Sequence, residues 1–374
     1  MEKEIFLNNV KKYIKLLGLY LNKKEDPSFN IDKNELSFFI KLSKHHSLMA
    51  FLYQAINNVK ANVPNEALTE LEQYYLANLR KSVLFDKERN ELFTYLKEKQ
   101  IEYLPLKGII IKNYYLDPYT REFADNDILF EDKGSALIRD YFKSRQYTVE
   151  LYKKSNHDVY IKKPFYNFEM HRALFYENED NLKSVKYFKD YLAKSPKKDE
   201  CEHYLTNEDF YIYFLAHSYK HYHVSGCGIR TLIDIYLYLK NNDLDFDYIN
   251  KELIKLDLLD FSNDIKSLSF KLFDNQELDN KEEEILLYIA SSGTYGTLEH
   301  SVDKGVKEKG KFGYTMKRLF PPYSFYKSAY PWAYYSFVLI PVAWLIRFFR
   351  ILFTNPKKAT TELKMIKNHK DDKD

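Results

Sequence analysis

The sequence predicts an α+β protein in which a small mixed β-sheet is flanked by N-terminal and C-terminal helical regions. Three observations carry this. Apolar residues recur at three- and four-residue intervals before residue 100 and again after about residue 206. Short apolar runs with two-residue alternation are confined to the stretch between about 101 and 171. Hydrophobic residues make up 45% and charged ones 30%, the balance of a folded globular chain. The 374 residues allow two or three domains of roughly 100–200 residues. The divisions expected are a helical region over 1–99, an α/β core over 100–180, a helical domain over 181–320, and an aromatic, apolar helix with a charged tail over 321–374.

In chain order, Ile5, Phe6, Val10, Ile14, Leu17 and Tyr20 form one stripe of a first helix. Further helical patterns cover about 35–57 and about 65–85, the latter opened by Pro64 and running on to about 99. The texture changes at Ile101. IEYLPLKG is a short apolar run ending in Gly108, IIIKNYYL reads as helix, and DNDILF is a second strand after a turn at Asp117-Pro118. A helix over 135–144 follows, then strands over 147–152, 158–161 and 167–171, with Lys163-Pro164 turning between the last two. Thr206 is placed to cap a helix carrying Tyr211, Phe214, Leu215 and Ser218 on one face. The turn VSGCG then leads to helices over 229–239, 246–258, 262–273 and 281–290. The uncharged run 332–346 is shorter than the roughly 20 apolar residues of a span and is broken by Pro341. It reads as a buried or interfacial helix, and its Trp, Tyr and Arg content leaves peripheral membrane contact open.

Composition excludes several classes. Only 10 glycines occur, too few for glycine-rich phosphate loops, and no G-x-G-x-x-G is present. Gly305, Gly310 and Lys311 have P-loop spacing, but Phe312 stands where a Mg²⁺-binding hydroxyl is needed, so 303–311 reads as a lysine-rich solvated loop. A net charge of +3 argues against a dedicated nucleic-acid binder. Cys201 and Cys227 are too few for a disulfide framework, and the N-terminus lacks a secretory core, so a reducing cytoplasm is the expected location.

The chemistry-bearing constellation is Lys107-Gly108, Asp125 and Asp127, then Glu169 and His171. Side chains alternate along a strand, so Asp125 and Asp127 share a face, as do Glu169 and His171, with Phe168 and Met170 turned into the core. Acidic pairs two apart also arise by chance as turn and cap residues. Three carboxylates that converge repel unless cations neutralise them, and hard oxygen ligands on a sheet suit Mg²⁺.

The ordered set Leu106-Lys107-Gly108, Arg121, Asp125-Asn126-Asp127 and Phe168-Glu169-Met170-His171 resembles the uncharacterised nucleotidyltransferase family of bacterial proteins, within the polymerase-β-like superfamily. LSKHHSLMAFLY and FLAHSYKHYHVSGCGIRTLIDI resemble that family's outer helical motifs. The resemblance implies a nucleotidyltransferase core and transfer of an NMP from an NTP to a hydroxyl, or a phosphate, of an unknown small-molecule or protein acceptor. It implies two Mg²⁺ ions, or Mn²⁺ in their place, bound by Asp125, Asp127 and Glu169, with Glu169 also as base toward the acceptor, and Gly108 beside the triphosphate. Lys107 and Asn126 depart from the superfamily pattern: Lys107 either neutralises phosphate or pairs with a carboxylate. Arg121 either contacts phosphate or braces Asp125. His171 shares the face of Glu169. His217 and His221, spaced i, i+4, are open to zinc binding or to lining a cleft. Arg230 and Asp234 read as a helix-surface ion pair or as cleft residues. The alternative to an active enzyme is a degenerate, nucleotide- or partner-binding protein linked to a membrane-associated assembly.

Overall fold

The computed structural model describes residues 2–176, 182–224, 226–294, 298–354 and 356–368. Ser225 of the VSGCG turn and the tail beyond 368 lie outside the described residues. Two compact units emerge, one of residues 1–220 with 228–294 and one of 221–227 with 295–374.

The larger unit opens with helices α1 (Glu2–Leu21), α2 (Lys33–His46), α3 (Met49–Val59) and α4 (Asn65–Glu98). The expected helix over 35–57 is two helices, because Ser47 adopts a left-handed conformation (φ 53°) that caps α2. A residue with a Cβ at positive φ leaves no glycine to announce the break. Asp32 starts α2 with a reciprocal capping box to Glu35, which satisfies backbone N–H groups the helix cannot pair itself. His46 ends α2 fully buried: its Nδ1 accepts the backbone N–H of Ile229 and its Nε2 lies 3.0 Å from the carbonyl of Ala290. The HHS motif therefore ties three helical segments together.

Five strands form one mixed sheet, β1 (Tyr103–Pro105), β2 (Asn126–Phe130), β3 (Thr148–Leu151), β4 (His157–Lys162) and β5 (Tyr166–His171), in the order β1-β2-β5-β4-β3. Pairing of β2 with β5 is parallel and all other pairs are antiparallel. The mixed sheet and helical flanks are those the sequence predicts. Between β1 and β2 the expected helix is shorter: α5 (Gly108–Ile111) makes one turn and passes into a 3₁₀ turn at Lys112–Tyr114. Helix α6 (Ser135–Ser144) covers the sheet, and Phe142, Tyr160, Phe168, Met170, Ile128 and Phe130 close the core with Leu92 and Leu96 of α4. Phe168 and Met170 face inward, as alternation requires.

Helix α4 spans about 50 Å at 1.5 Å per residue. Polar side chains along it grip residues 112–126 turn by turn. Tyr74 bonds Glu122 and Tyr75 bonds Asp117. Asn78 reaches the carbonyl of Tyr119, and Lys81 that of Phe123. Asp86 accepts from Lys112, and Arg89 donates to Asn126 at 3.1 Å.

After α7 (Leu182–Tyr187) and α8 (Tyr191–Lys194) come α9 (Asn207–Val224), α10 (Ile229–Asn241), α11 (Phe246–Leu256), α12 (Leu259–Phe273) and α13 (Asn280–Ser292). The Thr206 hydroxyl accepts the N–H of Asp209, the expected cap.

In the smaller unit, residues 303–309 are helical, contrary to the solvated loop expected. They belong to α14 (Leu298–Leu319), interrupted at Gly310 (φ 69°). Val302 and Val306 sit one helical turn apart and bury against Tyr314 and Ile366, a stripe that the surrounding lysines hide in the sequence. Helices α15 (Tyr323–Ala329), α16 (Pro331–Tyr334), α17 (Ile340–Thr354) and α18 (Pro356–Asn368) follow. The apolar run is thus broken around a 3₁₀ turn at Phe337–Leu339. Tyr335, Val338, Phe349 and Phe353 are exposed, and among the described residues no helix is long and apolar enough to cross a membrane.

Candidate functional site

The parallel register of β2 with β5 sets Asp127 opposite Glu169 and Leu129 opposite His171. Asp125 lies one residue ahead of β2, half-buried, and Asp127 is buried within it. Asn126, between them, is fully buried and held by Arg89, which accounts for a polar residue at this core-facing position. The structure therefore gathers Asp125, Asp127, Glu169, His171 and Lys107 in one place.

Asp127 is the hub. Its Oδ1 accepts from the Lys107 ammonium at 2.7 Å and lies 2.8 Å from His171 Nε2. Burial alone would raise its pKa, but the Lys107 charge and the His171 bond outweigh burial and hold it well below the usual carboxylate range. Its neighbours behave oppositely. Burial, then repulsion from Asp127, pushes Asp125 up to about 6. Burial, then repulsion from Asp127 and Asp125, pushes Glu169 up to about 7. Burial would lower Lys107, yet attraction to Asp127 raises it overall. Three mutually repelling carboxylates within one site are the electrostatic signature of a cation site or an acid–base centre.

Lys107 sits at φ 47°, ψ −116°, a conformation that disfavours any residue with a Cβ. The neighbouring Gly108 is required by space: a Cβ there would stand 2.6 Å from Arg121 Nη1 and 2.8 Å from the Phe123 ring. Arg121 in turn is fixed by Asp234, through Nε to Oδ1 at 2.9 Å and Nη2 to Oδ2 at 2.8 Å, and Asp234 also accepts from Tyr115 at 2.6 Å. Of the two readings of Asp234, the helix-surface pair with Arg230 is the one that does not hold. Asp234 is buried and pairs with Arg121 across the fold, whereas Arg230 donates to the carbonyl of Glu122. A surface i, i+4 pair is excluded by burial of the carboxylate.

His217 and His221 lie one turn apart on α9, and the His217 ring is 6.2 Å from that of Tyr213. Among the described residues, the group of three metal-capable side chains is instead His157, Glu169 and His171. His157 was not singled out from the sequence, although a hairpin turning at 163–165 places residue 157 opposite residue 171 by counting. Tyr213 and Lys220 of α9 also bear on the site. Among the described residues the buried Tyr213 hydroxyl has no hydrogen-bond partner, and it interacts electrostatically with Lys107, Asp127 and Glu169. Lys220 is lowered by burial and by Lys107, with Glu169 opposing.

The donor set fits divalent cations. Carboxylate oxygens outnumber the ammonium that bonds Asp127, and the Tyr213 hydroxyl is a buried polar atom left without a hydrogen bond among the described residues. No curated protein and no solved structure matches the chain. A family described as an uncharacterised nucleotidyltransferase matches residues 32–274, a span that contains the sheet, the acidic cluster and the Arg121–Asp234 pair. The chain belongs to this uncharacterised nucleotidyltransferase family.

Proposed function

We propose that the chain moves an NMP from an NTP to a hydroxyl, or a phosphate, of a small-molecule or protein acceptor. The observation that carries the reading is the convergence of Asp125, Asp127 and Glu169 beside Lys107-Gly108, with the pKa values of Asp125 and Glu169 lifted toward neutrality. Asp125, Asp127 and Glu169 would hold Mg²⁺, which when bound neutralises phosphate charge and helps orient the NTP. The acceptor oxygen attacks the α-phosphorus, the bond to the β-phosphate oxygen breaks, and pyrophosphate leaves. The acceptor's proton passes to a carboxylate, for which Asp125 and Glu169 are the two candidates. Lys107 adds fixed positive charge toward phosphate, and Gly108 keeps the backbone open. Such chemistry rests on positioning and charge, so few side chains suffice. A near-neutral chain disfavours nucleic acid as acceptor.

The test is incubation of purified protein with labelled NTPs, Mg²⁺ and cell extract. Label should move to an extract component with wild type and fail to move with Asp125→Asn combined with Asp127→Asn. No transfer by wild type, or equal transfer by both proteins, refutes the reading. One observation favours a second reading, a nucleotide-binding protein without turnover: Lys107 already bonds Asp127. Tight NTP binding with no label transfer would establish it. The exposed Phe349 and Phe353 of α17, with Arg347 and Arg350 on the same helix, support peripheral membrane contact, which flotation with anionic vesicles tests.

A further inference from the structure

Antiparallel pairing sets His157 of β4 directly opposite His171 of β5, and Glu169 lies two residues before His171. Alternation then turns all three side chains to one face of the sheet. Glu169 Oε2 stands 3.8 Å from His157 Nε2 and 3.6 Å from His171 Nε2. One ligand atom from each residue lies within 4.8 Å of the others. An ion bound at about 2.1 Å by tetrahedral ligands has ligand–ligand edges of about 3.4 Å, so closure needs side-chain shifts of a few tenths of an ångström for these pairs. The histidine rings are 5.0 Å apart by centroid, and the strand ladder holds both backbones.

We propose that His157, Glu169 and His171 form a three-ligand site for a zinc-class divalent ion, distinct in chemistry from the oxygen-only ligation Mg²⁺ prefers. Two imidazole nitrogens and one carboxylate suit Zn²⁺ or Co²⁺, and three protein ligands leave a coordination position open. Mg²⁺ favours hard oxygen donors and retained waters, and gains little from imidazole. The Asp127 carboxylate, hydrogen-bonded to His171 Nε2, borders this site. With Glu169 committed to this ion, Mg²⁺ would fall to Asp127 and Asp125 alone, and of the two carboxylates named for the acceptor's proton only Asp125 would stay outside the zinc-class site. That assignment rests on the proposed transfer reaction, whereas the metal site itself does not.

The experiment is an anaerobic titration of metal-stripped full-length protein with Co²⁺ alone, followed by visible absorption. Wild type should bind one Co²⁺ with the intense d–d bands of a four- or five-coordinate ion, lost on adding equimolar Zn²⁺. His157→Ala should weaken binding by at least about 100-fold, since even a residue that only hydrogen-bonds a metal ligand is worth about 10–100-fold, and Asp125→Asn should retain the bands. Only the weak bands of a six-coordinate ion, or equal binding by His157→Ala, overturns the site. Should His157→Ala fail to fold, histidine-selective NMR of wild type decides: Zn²⁺ must shift two imidazoles, and no shift overturns the proposal. Label transfer in Mg²⁺ is scored in parallel. Transfer without Co²⁺ bands overturns the metal site and leaves the proposed function standing; bands without transfer do the reverse.

Discussion

Replacing Asp234 by Ala should destabilise the larger unit severely, through a residue that touches neither metal nor substrate in the proposed mechanism. The Arg121 and Asp234 side chains are 8% and 3% exposed, and the pair is bidentate with Tyr115 as a third donor. Removing the carboxylate strands a guanidinium out of water, a change that costs about 3–5 kcal/mol when a buried pair loses one partner. For a unit of about 290 residues and an unfolding entropy near 2.1 cal/mol/K per residue, that corresponds to a fall in Tm of about 5–8 °C. Thermal and urea unfolding followed by circular dichroism measure it. The double variant Arg121→Met with Asp234→Leu should recover most of the loss, because apolar replacement of both partners removes the stranded charge as well. A loss below about 1 kcal/mol in Asp234→Ala would refute the reasoning, as would a double variant no more stable than the single.

Three further outcomes are expected. Lys107→Gly should be more stable than Lys107→Ala by about 1 kcal/mol, the reverse of the usual order, because the pair differ mainly in tolerance of φ 47°; urea unfolding of both checks it. Gly108→Ala should cost about 1–3 kcal/mol and depress label transfer, since its Cβ meets an Arg121 guanidinium clamped by Asp234 and unable to retreat. Burial holds His46 down to about 3, so the folded state binds fewer protons than the unfolded state between that value and the ordinary 6.5. Its contribution is complete above 6.5 and falls by about 1.4 kcal/mol per unit as pH drops through that window. In His46→Gln the stability-versus-pH slope from pH 6.5 to 4 should flatten, read from urea midpoints.

Much of the fold was legible because its signals are local. Alternation alone turns Phe168 and Met170 inward and Glu169 and His171 outward, and three-four spacing marks the helices on both sides. Ser47 escaped because left-handed geometry at a non-glycine residue has no compositional mark. Val302 and Val306 escaped because charges at 303, 304, 307, 308 and 309 surround a stripe only two residues wide. At the site, the approach of Asp127 to Glu169 follows from a parallel register that joins distant segments, which no local period encodes. The Arg121–Asp234 pair spans 113 residues and was hidden by the nearer, wrong partner Arg230. His157 was recoverable by counting across the hairpin, and Lys220 had no signal to separate it from the other lysines.

The polar ladder of α4 has a consequence for how the chain is made. Synthesis runs from the N-terminus, so the helix carrying Tyr74, Tyr75, Asn78, Lys81, Asp86 and Arg89 leaves the ribosome before the segment those residues hold. Residues 112–126, which form only two short 3₁₀ turns before β2, follow the helix that carries their partners at helical intervals. These side chains of α4 all lie N-terminal to the acidic strand, whereas β5, which supplies Glu169 and His171, begins about 40 residues after β2 does, so these supports of Asp125 and Asp127 precede their partners in order of synthesis.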